Sequence, residues 1–339
     1  VFDTILEVLF LPGHDIDEEL NIIYSEVARL GLDPSSIYIP TSNMSATRIH
    51  SEYIKAQEDP SRSIHIICAN FLIIYYLKEY QKSDSLTDLY KRIEDEKEVF
   101  WEKWIQRETH KLIFSLNRKA KEHRLAVLLF LAGQNKLDQS NVSMLSEENS
   151  ISESALQLLS NKYAIDISPD QIYRLSKSLP LKLSSNDGFA QGWDAAWSIP
   201  DLSLVNDCLL TVACESLCSN GDSLFLTEKT MKPILFLSPF VVVGDPFTLQ
   251  ELQKLGFKTF SPFIDESYDA IIDSKLRIQE IMRQLEIIGE LDPSHRINFK
   301  KSCSSIIQHN ISHFLNENYK DKFVDSLLQD FRSITEANA

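Results

Sequence analysis

The chain has 339 residues, 43% of them hydrophobic and 24% charged, with 34 basic against 49 acidic side chains and a formal net charge of −15. That is ordinary globular usage over the length of about two domains, which excludes disorder, collagen-like repeats and a disulfide scaffold. So acidic a chain is repelled by phosphate backbones and anionic membranes unless its basic residues gather locally, which disfavours a broad nucleic-acid groove but leaves room for one small anion pocket.

In chain order, 5–11 reads as a buried strand stopped by Pro12-Gly13. Asp15 to Asp17 then cap a helix whose Leu20, Ile23, Val27 and Leu30 recur at helical spacing up to Gly31. Short β-branched runs follow at 36–40 and 64–69. The segments 71–80 and 86–108 are predicted helical, the second with an apolar stripe of Leu89, Ile93, Val99 and Trp104. Strands alternating with helices indicate a parallel α/β unit. A second such unit starts at Lys111, with a strand over 112–116, a basic turn at Asn117-Arg118-Lys119 and a helix over 123–131. Residues 138–190 are rich in Ser, Asn and Asp and show helical stretches with a poor core pattern. The remaining expectations are strands at 209–214, 240–244 and 257–260, and helices at 227–237, 249–255, 268–288 and 299–334. The boundary falls near 106–111, with the last helices packing back across it. Tandem α/β units place ligands outside the carboxyl ends of their strands, in the cleft between units.

The longest apolar runs, 126–132 and 234–244, stop well short of the ~20 residues that span a bilayer, so no membrane span is expected. The five cysteines are odd in number and lack zinc-ribbon spacing, and 1–11 has no basic start, so reduced thiols and a cytoplasmic location are expected. The N-x-[ST] sequons at Asn43, Asn141 and Asn310 are then chance matches.

Two stretches carry chemistry. In Phe225-Leu-Thr-Glu-Lys-Thr-Met-Lys-Pro-Ile234, Thr227 is an N-cap candidate. Glu228 and Lys229 then lie in the first helical turn and Lys232 one turn on. A helix N-terminus offers free amide N–H groups and partial positive charge, and lysines there add full charges, which makes a phosphate pocket. The plainer alternative is an amphipathic helix with solvated charges. The second stretch, Asn117-Arg-Lys-Ala-Lys-Glu-His-Arg124, gathers five basic or potentially basic side chains in eight residues. Arg118 and Arg124 suit phosphate oxygens through their planar forks, and the alternative is a solvated basic turn. Neither GxGxxG nor GxxxxGK[ST] occurs, which disfavours a dinucleotide fold or a P-loop.

At these residues a family resemblance emerges. The segment CESLCSNGDSLFLTEKTMKPILFLSPFVVVG resembles the donor-binding signature of fucosyltransferase-like glycosyltransferases. Together with LNRKAKEHR and the GFKTF…IDESYD tail, it looks closest to uncharacterised bacterial and viral glycosyltransferases, over 111–275. The resemblance implies a GT-B-like α/β fold of two Rossmann-like domains facing a cleft. Residues 1–108, completed by 318–339, would form the acceptor side, and 109–317 the nucleotide-sugar side. It implies a metal-independent transferase, of inverting type, that moves a sugar from a nucleotide-diphosphate sugar to an acceptor hydroxyl on a glycan, small molecule, protein or modified DNA. Glu228 would bind the donor ribose and Lys229 the pyrophosphate, with Arg118 or Arg124 as the phosphate-gripping arginine. Phe225 stands where the family often has Tyr, so stacking but not a hydroxyl contact carries over. Glu215 of Cys214-Glu215-Ser216, in place of Phe-Glu-Asn, would line the donor pocket. Asp15, with His14 beside it, is the candidate catalytic base, and helix capping is the alternative.

Other constellations stay open. Thr41-Ser42-Asn43 either touches acceptor hydroxyls or forms a turn. Glu266 and Tyr268 are either functional or structural. Trp193, Asp194 and Trp197 either stack on a sugar or base or anchor a loop. His309 and His313 are four apart on a helix but have no evident third metal ligand, and Cys208, Cys214 and Cys218 suit packing better than coordination. Two other functions compete: a non-catalytic nucleotide- or sugar-binding protein, and a viral-type glycosyltransferase acting on modified DNA bases, against which the net charge argues.

Overall fold

A computed structural model of the chain describes residues 16–56, 63–68, 83–145, 151–183 and 201–315, with Leu328 and Arg332. The strand expected at 5–11, the helix at 71–80 and most of the continuation beyond 315 lie outside the described residues. So do His14, Asp15, Trp193, Asp194 and Trp197.

Two parallel sheets organise the chain. Helix α1 (Ile16–Arg29) turns Leu20, Ile23 and Val27 inward, onto Ile39 of β1 (Tyr38–Thr41) and onto Ile64, just before β2 (His65–Cys68). Strands β1 and β2 pair in parallel from Tyr38↔His65 to Thr41↔Cys68, and α2 (Ala46–Lys55) lies on the crossover.

The segment read as a single helix over 86–108 is two, α3 (Asp84–Asp95) and α4 (Lys97–Gln106). Glu96 breaks them with φ −123° and ψ 32°. The break re-phases the apolar stripe, so Val99 faces solvent while Phe100, Trp101 and Trp104 are buried. These aromatics, with Leu86 and Tyr90, join the core of the larger sheet rather than that of the smaller.

The larger sheet is built from β3 (Lys111–Asn117), α5 (Glu122–Gly133), β4 (Asn141–Met144), α6 (Glu153–Tyr163), α7 (Pro169–Ser178), α8 (Leu202–Asn206), β5 (Cys208–Cys214), α9 (Glu228–Leu235) and β6 (Phe240–Val243). After it come α10 (Thr248–Lys254), α11 (Ser274–Gly289) and α12 (Pro293–Leu315). Its strand order is β4-β3-β5-β6, all parallel. This is an α/β fold compatible with a Rossmann-like arrangement. From β3 the chain steps outward to β4, then returns past β3 to lay down β5 and β6. The order therefore reverses between β3 and β5, and the carboxyl ends of these two strands flank the crevice where such sheets hold ligands. Strands β5 and β6 are buried throughout, the near-continuous apolar pattern of a sheet covered on both faces. Helix α12 packs back onto α4, where Lys300 Nζ donates to the Arg107 carbonyl at 2.6 Å.

Three local expectations are corrected. The stretch at 257–260 is not a strand, because the Asn310 side chain takes its backbone groups: Lys258 N–H donates to Asn310 Oδ1 at 2.7 Å, and Asn310 Nδ2 to the Lys258 carbonyl at 2.8 Å. Strand β4 lies within the polar stretch 138–190. The expected helix at 268–288 begins as a 3-10 turn, Ser267–Ala270, and restarts as α11 under an Asp273 cap. Asn43 and Asn310 are buried, so neither sequon presents its amide to solvent. Among the described residues, no helix is long and apolar enough to cross a membrane.

Candidate anion-binding site

The site lies at the carboxyl ends of β3 and β5, where α5 and α9 begin. Glu215, the residue after β5, is 1% exposed, and its carboxylate organises the site. Oε1 accepts from Thr227 N–H at 3.0 Å and from the Thr230 hydroxyl. Oε2 accepts from Ser216 N–H at 3.0 Å and from the Thr227 hydroxyl. All four donors belong to the loop or to the start of α9, so Glu215 clasps the helix entrance instead of presenting itself to a ligand. A Cβ on Gly244, beyond β6, would meet Glu215 Cβ at 3.1 Å, so the close approach there calls for glycine.

Thr227 is the N-cap of α9, as its position predicts, and accepts from Lys229 N–H at 3.3 Å. The first turn is not an array of solvated charges. Glu228 is 8% and Lys232 9% exposed, and Glu228 pairs with Lys229. Burial pushes the Glu228 carboxyl up, but the charges of Lys229 and Lys232 and the Lys229 hydrogen bond outweigh it and hold it below the usual range. Burial drives the Lys232 ammonium down to about 8, against the pull of Glu228. Phe225, two residues before the cap, is buried too.

From the β3 side, the basic stretch is only partly the solvated turn it resembles. Arg124 is 3% exposed: Nη1 donates to the Lys119 carbonyl at 3.2 Å and Nη2 to the Glu215 carbonyl at 2.9 Å. Among the described residues, its buried Nε has no hydrogen-bond acceptor, and the buried Asn117 Oδ1, at the end of β3, has no donor. His123 Nε2 donates to the same Glu215 carbonyl at 2.9 Å. Burial, reinforced by the Arg124 charge, drives its pKa down to about 3, so the ring is neutral with its proton on Nε2. Arg118 is half-buried just beyond β3. Lys121, at the N-cap position of α5, donates through Nζ to the Ser216 carbonyl at 2.6 Å, while Lys229 Nζ reaches the Ser216 hydroxyl at 3.2 Å. The two ammonium groups converge on one residue. Burial, then repulsion from Arg124, Lys229 and Lys119, lowers the Lys121 pKa.

This arrangement opposes ordinary helix electrostatics. Cations are favoured at helix C-termini and each costs roughly 0.3–1 kcal/mol near an N-terminus. Lys121 and Lys229 sit at the N-termini of α5 and α9 with Arg124 buried close by, while of the first-turn carboxylates Glu122 pairs with Lys162 and Glu228 with Lys229. The excess positive charge makes chemical sense if an anion completes it.

The loop between β5 and α9 also meets the first unit. Leu224 N–H donates to Asn43 Oδ1 at 3.1 Å, and Met44 N–H to the Leu224 carbonyl at 2.9 Å. Arg48 donates to the Gly221 carbonyl. Thr41-Ser42-Asn43 is thus a turn, with Asn43 Oδ1 also accepting from Ser45 N–H at 3.0 Å, and it docks the carboxyl end of β1 against this loop. Two further anchors carried no sequence signal. Asp245 accepts from Ser219 N–H at 2.7 Å and the Ser223 hydroxyl at 2.8 Å, and Arg277 of α11 binds the Gly244 carbonyl at 3.0 Å and that of Ser219.

The remaining candidates make contacts within the fold. Glu266 accepts from Phe260 N–H at 2.6 Å, and Tyr268 is buried in the core. His309 and His313 donate to the Gly256 and Leu255 carbonyls at 3.0 and 2.8 Å, fastening the end of α10. Cys208 and Cys214 are core residues. Among the described residues, no group of three or more His, Cys, Asp or Glu side chains is placed to hold a metal ion.

No protein-family model matches this chain, and no curated protein does. Among solved structures, the N-terminal domain of Candida albicans trehalose-6-phosphate phosphatase aligns with a TM-score of 0.35 and 10% identity, over 88% of this chain. This chain spans 58% of that one, and a likeness so slight carries no argument about fold or activity.

Proposed function

We propose that this chain is a glycosyltransferase that moves a sugar from a nucleotide-diphosphate sugar to an acceptor hydroxyl. The observation that carries the reading is the convergence of Lys121 and Lys229 on Ser216, at the N-terminal turn of α9 and at the point where the sheet order reverses. A diphosphate seated there replaces Ser216 as the acceptor of both ammonium groups. As the glycosidic bond breaks, negative charge builds on the departing diphosphate, and fixed cations in a partly dry site stabilise that charge more than they stabilise the bound donor. Glu228, beside Lys229, suits ribose hydroxyls. Arg124, whose guanidinium holds the Lys119 and Glu215 carbonyls, shapes the pocket and adds its charge. The docking of β1 against the 215–227 loop brings the first unit to the same cleft, where an acceptor would enter. Asp15, with His14, is the proposed base that takes the acceptor proton.

Incubating the full chain with a panel of nucleotide sugars tests this. The expected result is thermal stabilisation by at least one nucleoside diphosphate, and release of that diphosphate from its sugar conjugate when acceptors are supplied. Absence of stabilisation by every nucleoside diphosphate contradicts the reading. Tight binding without release under varied acceptors marks a binding protein instead.

A further inference from the structure

We infer that Asn43, at the carboxyl end of β1, is a positioning residue that makes the anion site of the larger sheet depend on the first unit. The inference rests on reading the Lys121–Lys229 cluster as a diphosphate site and adds what holds that site in shape. The cluster hangs on the loop 215–227. Glu215 ties the two ends of this loop together through Ser216 and Thr227, and Asp245 and Arg277 fasten it at Ser219. From Leu224 to Leu226, among the described residues, the backbone makes two hydrogen bonds, and both go to the first unit. Leu224 N–H donates to Asn43 Oδ1 at 3.1 Å, and the Leu224 carbonyl accepts from Met44 N–H at 2.9 Å. Leu224 is buried, so these groups need partners, and the Thr227 cap of α9 follows three residues on.

Asn43 is itself fixed. It is 5% exposed and tied to three elements of its own unit. Its N–H donates to Thr41 Oγ1 of β1 at 3.1 Å. Its carbonyl accepts from Ala46 N–H, at the start of α2, at 3.0 Å and from the Cys68 thiol, at the end of β2, at 3.3 Å. Oδ1 is shared between Ser45 N–H in its own turn and Leu224 N–H across the seam. Arg48, which donates to the Gly221 carbonyl, adds a second strut from an exposed position. Opening of this contact takes both partners from Leu224 and frees the chain that enters α9. Lys229, whose N–H is held by Thr227, then loses its fixed place against Ser216. A misplacement of about 1 Å, begun far from the ligand, is enough to weaken a polar site.

Pyrophosphate is the probe, in isothermal titration and in amide hydrogen exchange of the full chain. Asn43→Ala should bind it about tenfold more weakly, the worth of one hydrogen bond. Coupling is reciprocal, so saturating pyrophosphate should slow exchange of the Met44 and Leu224 amides of the wild type by about the same factor. The His65 amide, which donates to the Ile37 carbonyl at 2.8 Å at the amino ends of β1 and β2, should not change. Asn43→Asp keeps the shared oxygen and should retain the slowing at Met44. A Met44 amide that exchanges equally with and without pyrophosphate overturns the inference, as does loss of the slowing in Asn43→Asp. So does an Asn43→Ala variant with a lower melting temperature but wild-type affinity, which marks a purely structural residue. The wild-type exchange decides alone if Asn43→Ala does not fold. If pyrophosphate does not bind the wild type, the diphosphate-site reading falls and this inference with it. If it binds and the Met44 amide is not slowed, only this inference falls.

Discussion

Lysine is buried at both ends of the larger sheet, and the two ends treat it differently. At the amino ends of β5 and β6, Lys300 donates to the Arg107 carbonyl just past α4, 5.1 Å from the centre of the Trp104 ring. Its charge meets the negative end of a helix and an aromatic face, which are favourable partners for a cation. At the carboxyl ends, Lys232 of α9 is buried too, and the charges that act on it are those of Glu228 and Lys229, with no donated side-chain hydrogen bond found among the described residues. Burial drives both ammonium groups down to about 8. One lysine donates to a carbonyl of its own chain; for the other, no such bond is found among the described residues. Equal burial therefore says little about role until the acceptors are counted.

The largest test of this contrast removes the clasp under the carboxyl-end cluster. Glu215→Ala strands donors from Ser216, Thr227 and Thr230 in a buried place, and urea unfolding should show a loss of about 3–5 kcal/mol. A loss below about 1 kcal/mol would mean the clasp is incidental. Next, Lys300→Met leaves the Arg107 carbonyl without its partner and should cost about 1–3 kcal/mol. Thr227→Ala removes the α9 cap and one Glu215 donor, for about 1–2 kcal/mol by the same measurement. Lys232→Met should move the other way, leaving the protein unchanged or about 1 kcal/mol more stable, because burial disfavours the charge it removes. Losses of equal size in both lysine variants would erase the distinction between the two ends.

A separate test is in pH dependence. Both lysines hold their proton less tightly when folded than the ordinary 10.5, so the unfolded chain binds more protons between about 8 and 10.5. Their combined contribution to stability therefore rises with pH across that window, and the rise should shrink in the Lys232→Met, Lys300→Met double variant to what Lys121 alone supplies. His123 has the same sign at acid pH: its folded pKa of about 3 lies below the ordinary 6.5, so its contribution falls as pH drops through that interval. Its ring resonances should stay constant between about pH 5 and about pH 8 in an NMR titration.

Much of this site was legible before the fold. The α9 cap, its lysines and the basic turn after β3 follow from residue type and position, because capping and strand-to-helix junctions are local. What was not legible depends on distant partners. Nothing local shows that Arg124 gives its guanidinium to carbonyls 90 residues on, that Glu228 and Lys232 are buried, or that Lys121 is the cation of its stretch that meets Lys229. Arg277 lies in a helix of mixed charges and has no pattern to distinguish it, yet it is 1% exposed and binds the turns around the site. Strand β4 was hidden because only Val142 and Met144 are apolar in it, and 257–260 misled because its apolar ends frame a backbone satisfied by Asn310.

A crystal structure of the full chain with a nucleoside diphosphate tests the central claim most directly. The account predicts the diphosphate at the first turn of α9, bridging Lys121 and Lys229, with Ser216 displaced from both. A diphosphate bound elsewhere, with both lysines still on Ser216, would contradict it.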